Sequence, residues 1–98
     1  MNSIELNKLI NLLQDVNDCK LDIMSAETVF EEIKWEALSG IKAVFANLYH
    51  FWQDEDIRNN DPQYKAMQES ELEKLIGHLK NEEWSSANGV SFLDVSDV

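Results

Sequence analysis

The chain has one cysteine, one proline, three glycines and eight basic residues among 98. A lone Cys19 excludes an intramolecular disulfide, and with it the stapled scaffolds of small secreted domains, so a reducing compartment is the expected home. Gly40, Gly77 and Gly89 stand far apart, which excludes a glycine-rich phosphate loop. No apolar run approaches the roughly 18 residues a membrane span needs. The start, MNSIELNKLI, has no basic segment followed by an apolar one, so no signal peptide is read and the expected location is cytoplasmic. Eight Lys and Arg face nineteen Asp and Glu, a net charge of −11 with a pI near 4.3. So few bases cannot neutralise phosphates in bulk, which argues against direct nucleic-acid binding. The same charge argues against anionic membrane surfaces.

What is present suits a folded domain. An apolar fraction of 44% is ordinary for a globular chain and too high for a disordered one. The length fits one small domain with a modest core, and three Trp, two Tyr and four Phe supply its large side chains. A strong negative field raises encounter rates with basic partners, although acidity also serves plain solubility.

Hydrophobic periodicity predicts four helices. In the first, over about residues 3–17, Leu6, Leu9, Ile10, Leu13 and Val16 share one face, with Asn2 or Ser3 as cap. The second starts near Ser25 as N-cap and buries Ala26, Val29, Phe30, Ile33 and Ala37, leaving Trp35 on the opposite side. Ser39-Gly40 breaks the chain. The third carries Ile41, Val44, Phe45, Leu48, Phe51 and Trp52 on a wide stripe and ends between Asp54 and Ile57. Carboxylates at that end oppose the helix macrodipole. Arg58-Asn59-Asn60 reads as a turn. Asp61-Pro62 then opens the fourth helix, Asp as N-cap and Pro at the first position, which runs to about Lys80. Tyr64, Leu72, Leu75, Ile76 and Leu79 face inward, but Gln68 sits in the middle of that face. Its first two turns therefore either project beyond the bundle or meet the acidic loop across a polar contact. From Asn81 the pattern fades, and VSFLDVSDV alternates only weakly. The expected fold is all-α, a compact antiparallel four-helix bundle over residues 1–81 with a loose C-terminal tail at 82–98, Trp84 folding back as a cap.

No constellation for catalysis emerges. His50 and His78 have no second ligand at metal spacing, and Cys19 has no partner cysteine. Asp54, Glu55 and Asp56 begin like a calcium loop, but its fifth, sixth and twelfth positions would be Arg58, Asn59 and Lys65. No serine sits in a nucleophile elbow. Neither an enzymatic role, nor a metal, nor a cofactor is expected.

The acid itself is patterned. Glu27 and Glu31, Glu32 and Glu36, and Glu69 and Glu73 stand four apart, where each like-charge pair costs a helix about 0.2–0.5 kcal/mol. Asp54, Glu55, Asp56 and Asp61 gather at the corner before the last helix, beside Tyr64. Such a surface pairs with Lys and Arg of a partner, while an aromatic anchor adds the desolvated contact that charge cannot supply. The candidate partner-binding residues are Asp54, Glu55, Asp56, Asp61, Tyr64, Glu69 and Glu73.

Residues 38–79 resemble part of the small all-helical bacterial immunity proteins that accompany colicin D-like and contact-dependent growth-inhibition toxins. The resemblance rests on IKAVFANLYHFWQDEDIR followed by NDPQYKAMQESELEKLI: an aromatic-ended helix, a D-x-D-I-R turn, then D-P-x-Y opening the last helix. It implies a stoichiometric inhibitor whose acidic side chains pair with bases in a toxin's cleft, often that of a nuclease recognising transfer RNA. Asp54, Glu55, Asp56 and Asp61 would then be the contacts, with Tyr64 beside them. Two other readings use the same features. One is a structural or adaptor subunit binding a partner helix, for which Trp35 and Trp84 would matter more. The other is a phage-type DNA mimic, which needs carboxylates along an extended face. A monomer is favoured.

Overall fold

The computed structural model describes residues 3–92, and every element within them is helical. Helix α1 (Ser3–Asn17) lies where its periodicity places it, with Leu6, Leu9, Leu12 and Leu13 buried. Asn2, the other cap candidate, lies outside the described residues. The helix stops in a tight turn that puts Cys19 at φ 58, while the Cys19 and Lys20 amides donate to the Val16 and Asp15 carbonyls at 3.1 and 2.8 Å. That left-handed conformation is uncommon outside glycine. Cys19 is exposed there.

Helix α2 (Ile23–Glu32) begins earlier than expected. Its cap is Asp22, whose Oδ1 accepts from the Ser25 amide at 2.7 Å. Ser25 therefore occupies the third helical position, the usual donor to an N-cap carboxylate. At the far end the Trp35 indole donates to the Phe30 carbonyl at 3.0 Å, satisfying one of the orphan acceptors of a helix C-terminus. A 3-10 segment (Trp35–Ile41) follows. It bends at Leu38 (φ −116, ψ 38), just before the Ser39-Gly40 break predicted from sequence.

Helix α3 (Lys42–Gln53) buries Val44, Leu48, Phe51 and Trp52. Phe30 joins it to α2 through an aromatic cluster: its ring centroid lies 5.2 Å from Trp35, 5.0 Å from Phe45 and 5.6 Å from Trp52. Edge-on and offset pairs at these separations add to burial. Phe45, expected in the core, stacks on the outside of this cluster and keeps 42% of its surface in solvent.

Two further short helices appear where a turn and a loose tail were expected. Residues 55–60 form α4 (Glu55–Asn60), whose Arg58 amide donates to the Asp54 carbonyl at 3.0 Å. Glu55 and Asp56 thus sit in the first turn of α4, where the macrodipole favours them, while Asp54 stands at the C-terminus of α3, where it is opposed. Helix α5 (Pro62–Lys80) has the predicted start: Asp61 Oδ1 accepts from the Gln63 and Tyr64 amides at 3.0 and 3.1 Å. Helix α6 (Trp84–Asn88) packs on α5 and the 3-10 segment, with Trp84 half-buried against the core. Ala87, Val90 and Phe92 are buried, so the chain is not loose from 84 to 92. Residues 93–98, the rest of the predicted tail, lie outside the described residues.

One acid is built into the frame. Glu5, 4% exposed, accepts from the Lys34 amide at 2.9 Å and from Lys8 Nζ at 3.0 Å. The Lys34 amide, followed by Lys8, holds its carboxyl below the usual value of 4.5. A carboxylate with a depressed folded-state pKa stabilises the fold above its unfolded value, and that contribution fades as pH falls through the folded one. Acid titration monitored by circular dichroism should show Glu5→Gln less stable at neutral pH and flatter than the parent below pH 4.5. Parallel curves would remove Glu5 from the acid response.

Candidate functional site

The corner between α3 and α5 is where sequence placed the site. Besides Glu5 on α1, the buried polar side chains of the described residues lie here. Arg58 (7% exposed) and Gln68 (fully buried) occupy positions that a simple helical stripe would fill with apolar side chains. Arg58 Nη1 donates to Gln68 Oε1 at 2.6 Å and to the Phe51 carbonyl, and the guanidinium carbon lies 3.9 Å from the centroid of the Phe51 ring. Burial pushes the Arg58 pKa down, opposed by Glu55, then Asp54, Tyr64 and Glu69. The group remains a cation at neutral pH. Its Nη2 is buried without a hydrogen-bond partner among the described residues.

Gln68 Nε2 turns to the other side of this network. It donates to Asp54 Oδ2 at 3.0 Å, to the Tyr64 hydroxyl at 3.1 Å and to the Phe92 carbonyl at 2.9 Å. The Tyr64 hydroxyl donates to Asp54 Oδ2 at 2.7 Å. Of the two possibilities left open for the polar start of α5, this is the contact across the acidic corner.

The expected binding residues therefore separate into two groups. Asp54 and Tyr64 are half-buried and already bonded to one another and to Gln68. Asp61 is exposed, but one of its oxygens caps α5. Glu55 is half-buried, while Asp56, Glu69 and Glu73 are exposed. Glu69 lies 3.9 Å from Lys65, an exposed pair of little energetic weight.

Tertiary packing adds two acids that sequence had not joined to this corner. A shallow depression between α2 and the start of α4 is lined by Ile23, Met24, Glu27, Thr28, Glu31 and Glu55. Met24 keeps 81% of its surface in solvent there. On its other side Glu55 borders a second depression, shared with Cys19, Arg58, Lys65 and Glu69. Glu55 thus sits between Glu27 and Glu31 of α2 on one side and Glu69 of α5, with the bases Arg58 and Lys65, on the other. The i,i+4 pairing of Glu27 with Glu31 was visible in the sequence, but its approach to Glu55 depends on how α2 lies against α4. Arg58 and Gln68 were likewise missed as a pair. Gln68 was visible as a polar residue on an apolar face, but nothing marked Arg58 as its partner.

Among the described residues, no three His, Cys, Asp or Glu side chains come together in a way that could hold a metal ion. No helix there is long and apolar enough to cross a membrane. Comparison with family models, curated proteins and solved structures finds no match to this chain.

Proposed function

We propose that this chain is a stoichiometric inhibitor of a basic protein, acting as an immunity protein that covers the active-site cleft of a toxin nuclease. It has no catalytic step and no cofactor. It works as a cytoplasmic monomer built on an antiparallel frame of its four longer helices, α1, α2, α3 and α5. One observation carries the reading: Glu27, Glu31, Glu55 and Asp56 have no ion pair with any base of the described residues, and three of them ring one depression. Unpaired like charges on one face repel each other, and a partner's Lys or Arg relieves that repulsion. Met24 beside them offers apolar surface for the methylene stem of such a side chain.

The test is titration against a basic nuclease toxin domain, sought first among the genes adjacent to this one, with nuclease activity as readout. One equivalent of the chain should abolish cleavage. The combined Glu27→Gln, Glu31→Gln and Glu55→Gln variant should keep its helicity but associate about tenfold more slowly at low salt, the range over which electrostatic steering acts. Association indifferent to both the variant and salt would move the contact elsewhere.

A specific observation favours a second reading, that of an adaptor. Phe45 and Tyr49, one turn apart on α3, keep 42% and 47% of their surface in solvent. Binding lost in Phe45→Ser and Tyr49→Ser, yet insensitive to salt, would select it.

A further inference from the structure

After Gly89, which caps α6, residues 90–92 form a strap that reaches the corner. Val90 and Phe92, two residues apart, are both buried, with half-exposed Ser91 between them. Their carbonyls accept from side-chain amides on two different helices: Asn47 Nδ2 of α3 reaches Val90 at 2.6 Å, and Gln68 Nε2 of α5 reaches Phe92 at 2.9 Å. The Phe92 ring rests 5.0 Å from that of Phe51. Gln68 is the joint. Its oxygen is held by Arg58, which donates only, so the orientation of the amide is fixed. The two hydrogens on Nε2 then face three oxygens at nearly equal distance: Phe92 O, Asp54 Oδ2 and the Tyr64 hydroxyl. Two donors cannot fully serve three acceptors.

We propose that the strap and Asp54 compete for Gln68, so that the C-terminal segment and the acidic corner are coupled. Drawing Asp54 away from the network frees an N–H for Phe92 and tightens the strap. Releasing the strap frees an N–H for Asp54 and Tyr64 and holds that carboxylate inward, away from any partner. The strap is thereby a latch on how the corner is presented. Only the identity of the cation that draws Asp54 outward rests on the reading given above; the coupling is a property of the isolated chain and is tested without a partner.

The experiment is a double-mutant cycle in urea with Asp54→Ala and Phe92→Ala. With the strap in place, loss of Asp54 is partly offset by the freed N–H. With the strap loosened, no offset exists. The unfolding constant of the double variant should therefore exceed the product of the single effects by at least about fivefold, beyond the additivity expected of uncoupled sites. Additive effects, or a smaller-than-additive double effect, would overturn the proposal. Should the double variant not fold, hydrogen exchange on Asp54→Ala alone decides. Amides of residues 90–92 should be protected at least about threefold more, relative to α1, than in the parent. Equal or lower relative protection would refute the latch.

Discussion

Replacing Gln68 with leucine is expected to destabilise the fold by about 3 kcal/mol, whereas replacing Arg58 with methionine, which leaves the Gln68 oxygen and the Phe51 carbonyl without that donor but removes the buried charge, should cost only about 1–2 kcal/mol. The two residues touch, so the asymmetry is informative. Leucine at 68 removes the side-chain acceptor from a buried cation whose Nη2 already has no partner, and it strips a donor from Asp54, Tyr64 and Phe92 at once. Removing one member of a buried polar pair leaves the other desolvated and uncompensated. Methionine at 58 instead removes the desolvated charge itself and keeps a long apolar stem against Phe51. The double replacement should therefore be more stable than Gln68→Leu alone, a sign reversal that simple loss of packing cannot produce. Urea unfolding followed by circular dichroism measures all three. Equal losses in the two single variants would show that Arg58 contributes net stability where it stands.

Phe92→Ala should cost about 3–5 kcal/mol, the range for truncating a fully buried aromatic side chain. Phe92 is 1% exposed and packs against Phe51 at the end of the core. Small domains have total stabilities of about 5–15 kcal/mol, so the variant should melt at least roughly 10 °C lower. Ser85→Ala, at an exposed position of α6, should shift stability by less than about 0.5 kcal/mol. A tail that merely trailed from the domain would give the same small effect at both positions.

How much of this was legible varied with the kind of signal. The stripe of α1 and the Asp61-Pro62 start of α5 are local, set by a period and by cap chemistry, and both stand where the sequence places them. The cap of α2 was misplaced because Asp22 and Ser25 are equally good caps on paper, and only the registry of Ile23 decides between them. Helix α4 was missed because Arg58-Asn59-Asn60 has no apolar period. It is held instead by the burial of Arg58 against Phe51 and Gln68, a contact between residues ten apart. The strap was missed for the same reason: Val90 and Phe92 follow no helical pattern, and their burial depends on Asn47 and Gln68 far upstream. At the candidate site, composition announced the acid. Only the packing of helices separates Asp54 and Tyr64, tied inward, from Glu27, Glu31 and Glu55, which gather around one depression.

The turn between α1 and α2 offers a practical handle. Cys19 is the chain's sole thiol, it is exposed, and it borders the depression that also holds Glu55 and Glu69. A maleimide dye will therefore attach at a single position of the unaltered chain, a few side chains from the carboxylates at issue. Fluorescence from that dye would report the arrival of a basic polypeptide directly, and its silence during a productive titration would place the encounter on another face.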